Sequence, residues 1–335
     1  MAHYRSIGHV LFAGNGTVIV GALLCGGVAH AQNIALTPAP VEVQIHDVNL
    51  RLDRSTVLEI KTLRGQLVPI RRDVPVTFDD VNSFTTRITT AEIGISLRTL
   101  SDLLNQHVFA YPGAPLKNIA LTADRGRIKQ VGTIHKGIDI PFEIEGTLEA
   151  TQSGSLRFHA DKIFSGHIPV KGLLHFFGED LSKLVNLKGD RGVTVDGDNI
   201  MLYPDRMLPP PRIEGKITAG RIQGDRIVLA FDSGTTKPLS PPYKISSYLY
   251  HRGGVLRFGK LTMNDTDLEI VSESQHSPFE FSLPEYNRQL TAGYSKNTPS
   301  HGLIAFMGDL TSPSAQGAAP PRRDSGGWNR SLRLK

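Results

Sequence analysis

The chain has 335 residues, 39% of them hydrophobic and 21% charged, a balance that suits a folded protein of about two domains and excludes a chain too polar to build a core. The net charge of +5 is carried by the ends. Without Arg5 and the tail residues Arg322, Arg323, Arg330, Arg333, Lys335 and Asp324, positions 32–310 hold equal numbers of basic and acidic residues, which speaks against a nucleic-acid-binding surface.

Residues 1–31 read as a signal peptide. Arg5 supplies a short positive region, Val10–Val28 is apolar and small, and Ala29-His30-Ala31 fits a small-x-small cleavage site. The expected address is the periplasm, with an inner-membrane anchor through residues 10–28 as the alternative. Cys25, the sole cysteine, lies inside this segment behind Leu23-Leu24, so neither a lipoprotein site nor a disulfide is expected.

In the body, Val41, Val43 and Ile45 open a strand, and Leu58 and Ile60 mark a second beyond a turn at Asp53-Arg54-Ser55. Phe84, Ile88 and the threonines of Thr85–Thr90 favour β structure. Ser96 is a plausible N-cap for a helix Leu97–Val108, whose apolar stripe is Leu97, Leu100, Leu104 and Val108; Tyr111-Pro112-Gly113 stops it. Ile119–Ala123 and Ile128–Ile134 flank a turn at Asp124-Arg125-Gly126.

Ile138–Val170 is the strongest signal. Ile138, Ile140, Phe142, Ile144, Gly146, Leu148 and Ala150 alternate with polar positions. After a turn at Gln152-Ser153-Gly154-Ser155, Leu156, Phe158, Ala160, Phe164, Gly166, Ile168 and Val170 resume the pattern. The spacing predicts one long hairpin with a single apolar face, spanning roughly 43 to 50 Å at ~3.3 Å per residue. Gly172–Leu187 follows as a second helix, with Leu173, Phe177, Leu181 and Leu184 on one stripe. A hairpin around Asp196-Gly197 and another around Gln223-Gly224 complete a domain over 32–232. Ser233–Tyr243 is rich in Gly, Thr, Pro and Ser, and a linker is placed over 233–245. Tyr248–His251 and Val255–Met263 read as a hairpin closed by Gly253-Gly254, inside a small β module over 246–310 that also holds a short helix at Pro284–Leu290. Residues 311–335 read as a disordered, solvated basic tail, with a weak attraction to anionic membrane surfaces as the second reading.

Chemistry-bearing motifs are few. Asp232-Ser233-Gly234-Thr235 after the strand Ile227–Phe231 has the local pattern of an aspartic-protease loop, but a strand end with a turn explains it better. His159 and Asp161 share a strand face, His167 lies too far along it for one metal, and His175 sits among apolar residues. Asp196-Gly197-Asp198-Asn199 lacks the downstream glutamate of a calcium loop. No cofactor fingerprint occurs, and no catalytic constellation is expected.

The order of helix, meander, long hairpin, second helix and hairpin, with Ile95-Ser96-Leu97-Arg98-Thr99-Leu100-Ser101-Asp102-Leu103-Leu104 and Ile168-Pro169-Val170-Lys171-Gly172-Leu173-Leu174 entering the helices, resembles the LmeA-like phospholipid-binding family of exported bacterial proteins over about residues 85–232. The resemblance implies a curved, tubular sheet on two helices with an apolar groove for acyl chains. The expected fold is α+β and mostly antiparallel β. The expected function is non-catalytic binding of a lipid or other apolar ligand, lined by Phe142, Ile144, Leu148, Phe158 and Phe164 from the sheet and Leu173, Phe177 and Leu181 from the second helix. The alternative is an envelope scaffold with a filled core; a hydrolase using the Asp232 loop ranks below both.

Overall fold

A computed structural model describes residues 39–135, 138–165, 168–169, 191–196 and 199–310. The expected signal peptide, the expected second helix, the tail, His167, His175 and Gly197-Asp198 fall outside the described residues.

β1 (Val41–Arg51) and β2 (Val57–Pro69) form because apolar residues recur on one face of each, and they pair from Val41 opposite Leu67 to Arg51 opposite Val57. Asp53 closes their connection: its Oδ1 accepts from the Ser55 and Thr56 N–H groups at 2.8 and 2.7 Å. Beyond the short β3 (Val76–Thr77), β4 (Phe84–Ser96) adds to the other side of β2.

Ser96 ends β4 and starts α1 (Leu97–Leu103). Its backbone is extended and its hydroxyl accepts from the Thr99 N–H at 3.0 Å, so the expected cap is present. Ser96→Ala is expected to cost about 1 kcal/mol in urea unfolding, with Ser96→Thr retaining most of it. The last expected turn, Leu104–Val108, widens to a π-helix, with the Phe109 N–H bonded to the Leu104 carbonyl at 2.8 Å.

β5 (Leu116–Asp124), β6 (Arg127–His135), β7 (Asp139–Ala150) and β8 (Leu156–Ser165) form an antiparallel meander, with β9 (Ile168–Pro169) beside β8. β10 (Val193–Asp196) and β11 (Asn199–Leu202) complete this sheet in the order β10-β11-β8-β7-β6-β5. The long hairpin thus exists, but its alternation slips. Glu145 opposes Lys162 while Gly146 opposes Ala160, leaving Asp161 as a bulge.

After the turn α2 (Pro204–Met207), β12 (Arg212–Glu214) runs parallel to β4, and the hairpin β13 (Ile217–Gln223) and β14 (Arg226–Asp232) places β14 along β4. In the 246–310 segment, β15 (Tyr248–Arg252) pairs with β1 on one side and β18 (Asp267–Ser272) on the other. Hence the expected hairpin with 255–263 does not form. Both edges of β15 are occupied, and β16 (Leu256–Phe258) and β17 (Leu261–Met263) join β3 in a separate small sheet.

β19 (Phe279–Ser282) runs beside β1, α3 (Tyr286–Ala292) follows, and β20 (Tyr294–Asn297) and β21 (Leu303–Met307) extend the sheet beyond β18. The main sheet therefore reads β13-β14-β4-β2-β1-β15-β18-β21-β20, eleven strands with β12 and β19 among the described residues, and it curls as a half-barrel. Strands of 246–310 continue the sheet begun at residue 41, and one buried apolar cluster runs from Val41 to Met307. The fold is α+β and dominated by antiparallel sheet. Phe78, Phe258 and Tyr286, with ring centroids 5.1 to 5.8 Å apart, fasten the small sheet to α3.

Candidate functional site

The inward face of the meander meets α1 and β14, and an apolar slot lies between them. Leu100, Leu104 and Phe109 form one wall, Leu121, Leu148 and Phe158 the facing sheet, and Ile227 closes one side. Gln130 is the polar exception in the lining. The wall is held in place by side chains that bond across it. Ser101 Oγ donates to the Leu97 carbonyl at 2.7 Å and accepts from the Leu121 N–H at 2.9 Å. Asn105 donates to the Ile119 carbonyl at 2.7 Å and accepts from the Ile119 N–H at 2.9 Å, which fixes the π turn to β5.

The slot holds about 40 Å³. Occupied ligand sites are commonly ~300–1,000 Å³. Its side chains therefore meet almost flush, with room for one or two water-sized groups.

The expected lining residues separate into three groups. Leu148 and Phe158 line the slot; Phe142 and Ile144 are buried in the adjoining core. Phe164 does not join them: the Asp161 bulge puts Ile163 opposite Ile144 and packs it on the core, so Phe164 pairs with Glu143 on the opposite face. Leu173, Phe177 and Leu181 lie outside the described residues. The lining residues missed from the hairpin pattern come from α1, the π turn and β14, and from β5, β6, β10 and β11 of the same sheet. The stripe Leu100 and Leu104 marked one of these walls; nothing local marked Ile227, which arrives through long-range pairing.

The polar candidates among the described residues have structural partners. His159 Nδ1 lies 3.0 Å from Asn199 Oδ1, and Asp161 pairs with Arg127 at 2.5 Å. Asp232 is exposed, accepts the Gly234 N–H at 3.2 Å, and precedes a Ser233 N–H bonded to the Thr89 carbonyl at 2.8 Å. That is a turn tying the end of β14 to β4. Ser274, His276 and Asp309 also meet, but Asp309 bonds the serine at 3.0 Å, unlike a triad in which the imidazole stands between the two. Among the described residues no group of three His, Cys, Asp or Glu side chains is placed to hold a metal. Among them also, no helix is long and apolar enough to cross a membrane.

Two buried ionisable groups lie on neighbouring strands. Burial pushes the Glu269 carboxyl up to about 7, opposed by the Tyr243 N–H that bonds Oε2 at 2.7 Å. Burial pushes the His251 imidazole down to about 4, opposed by a hydrogen bond to the Leu268 backbone. Glu269 Oε1 and His251 Nδ1 have no hydrogen-bond partner among the described residues.

No family model matches the chain, and no curated protein or solved structure matches it.

Proposed function

We propose that the chain binds an apolar ligand non-catalytically, as a periplasmic lipid-binding protein, with the hydrocarbon part in the slot between the meander and α1. The observation that carries this reading is the slot wall, apolar but for Gln130 and built by α1, the π turn, the strands of the meander sheet and β14. Each methylene buried there contributes about 0.8 kcal/mol. At about 40 Å³ the slot must widen to admit a chain, by rotation of Leu148, Phe158 and Leu104. The element order that resembles the LmeA-like family points the same way.

The small volume favours a second reading, an envelope interaction protein whose core is filled. Native mass spectrometry of protein purified without detergent separates the two. Co-purifying lipid, or uptake of added lipid that a Leu148→Trp variant loses, is the expected result. Reproducibly bare protein after incubation with lipid vesicles leaves the interaction reading.

A further inference from the structure

A larger space bounded by described residues lies elsewhere, on the outward face of the main sheet, and most of the side chains around it are polar. Its floor is Glu42 of β1, Arg64 and Gln66 of β2, and Tyr250 of β15. These residues point outward because Val41, Val43, Leu63 and Leu67 take the inward positions of the same strands. Over the floor passes the segment 233–240, anchored at both ends. At one end the Ser233 N–H bonds the Thr89 carbonyl at 2.8 Å. At the other the Leu239 N–H donates to Gln44 Oε1 at 2.9 Å, and Gln44 Nε2 donates to the Leu239 carbonyl at 3.2 Å. The residues between these anchors arch across the sheet, and the trough beneath holds about 690 Å³. That volume suits a small ligand.

The charges in this trough are unevenly satisfied. Arg252 is held by Asp267 at 2.6 Å, and Tyr250 Oη donates to the same carboxylate at 2.9 Å. Arg64, Lys237 and Glu42 make no ion pair or side-chain hydrogen bond with any described residue. Two unpaired cations against one unpaired carboxylate suit a ligand with net negative charge. The rest of the wall carries hydrogen-bonding side chains: Thr89, Thr235, Thr236 and Gln66 line it.

We propose that the trough under the 233–240 arch binds a small hydroxyl-rich organic anion, a sugar carrying a phosphate or carboxylate. Arg64 and Lys237 take the oxyanion in charge-assisted hydrogen bonds, and the threonines and Gln66 take the hydroxyls. This site is independent of the apolar slot.

Isothermal titration calorimetry on the full chain tests it, with glucose 6-phosphate and glucuronate as probes and glucose and inorganic phosphate as controls. At least one sugar anion is expected to bind more tightly than either control, because the controls each lack half of the recognised groups. Arg64→Gln is expected to weaken that binding about tenfold or more, and Lys237→Gln, on the exposed arch, to weaken it without unfolding the sheet. Arg71→Gln, whose side chain pairs with Asp73 outside the trough, is expected to leave it unchanged. The proposal is overturned if neither sugar anion binds, if phosphate alone binds as tightly, or if affinity survives both Arg64→Gln and Lys237→Gln.

Discussion

Gly146→Val is expected to remove at least about 3 kcal/mol of stability, enough to leave much of a marginally stable protein unfolded at 37 °C. A Cβ at this position would lie 2.1 Å from the His159 carbonyl oxygen and 2.7 Å from the Phe158 ring. Neither neighbour can withdraw cheaply. The carbonyl belongs to the β7–β8 ladder, and Phe158 is buried against the slot. Moving it would open the wall that Leu148 and Ile227 share with it. Thr147→Val, one residue along on the exposed face of the same strand, is expected to stay within about 0.5 kcal/mol of the parent. Urea unfolding followed by far-UV circular dichroism compares the two. Equal midpoints would mean that the register at the Asp161 bulge is wrong.

The second large effect is a pair of opposing pH dependences concealed in the parent protein. Glu269 has its pKa raised from 4.5 to about 7 in the folded state. The folded chain then holds a proton that the unfolded chain lacks between these values, so this group's contribution falls as pH rises from 4.5 to 7. His251 is lowered from 6.5 to about 4. The unfolded chain then holds the extra proton, and this group's contribution rises as pH goes from 4 to 6.5. Each amounts to about 3 kcal/mol across its window. Through pH 4.5 to 6.5 the two nearly cancel.

Glu269→Gln removes one of them. Relative to the parent, the variant should gain about 3 kcal/mol on going from pH 4.5 to 7. His251→Phe should lose about as much relative to the parent between pH 4 and 6.5, whatever its absolute stability. Parallel curves for parent and variants would show that neither group is buried in the form that titrates. Glu269 also anchors the chain near Tyr243, where Tyr243 and Ile245 pack on Val271, Ile304 and Phe306. Local exchange of the Tyr243 amide should therefore follow the same titration.

Much of the architecture was legible residue by residue. The alternation of Phe142, Ile144, Leu148 and Phe158 foretold the inward face of the meander, and Ser96 foretold the start of α1. Gln223-Gly224 marked the β13–β14 turn, where Gly224 takes a left-handed backbone. The misreadings share one cause. Phe164 had the right parity, but a bulge is an added residue against a partner strand and has no sign in the strand's own letters. Tyr248–His251 had a good turn after it, but β1 and β18 were stronger neighbours than the next strand in sequence.

The chain by itself therefore determined its strands, their apolar faces and the cap of its first helix, because these depend on side chains within a few residues of one another. Only the tertiary structure decided that 246–310 continues the first sheet, that the slot closes to about 40 Å³, and that an arch over Arg64 leaves a polar trough. Those outcomes depend on which distant strands meet and how closely their side chains interdigitate. Local periodicity specifies a face and leaves its neighbour open.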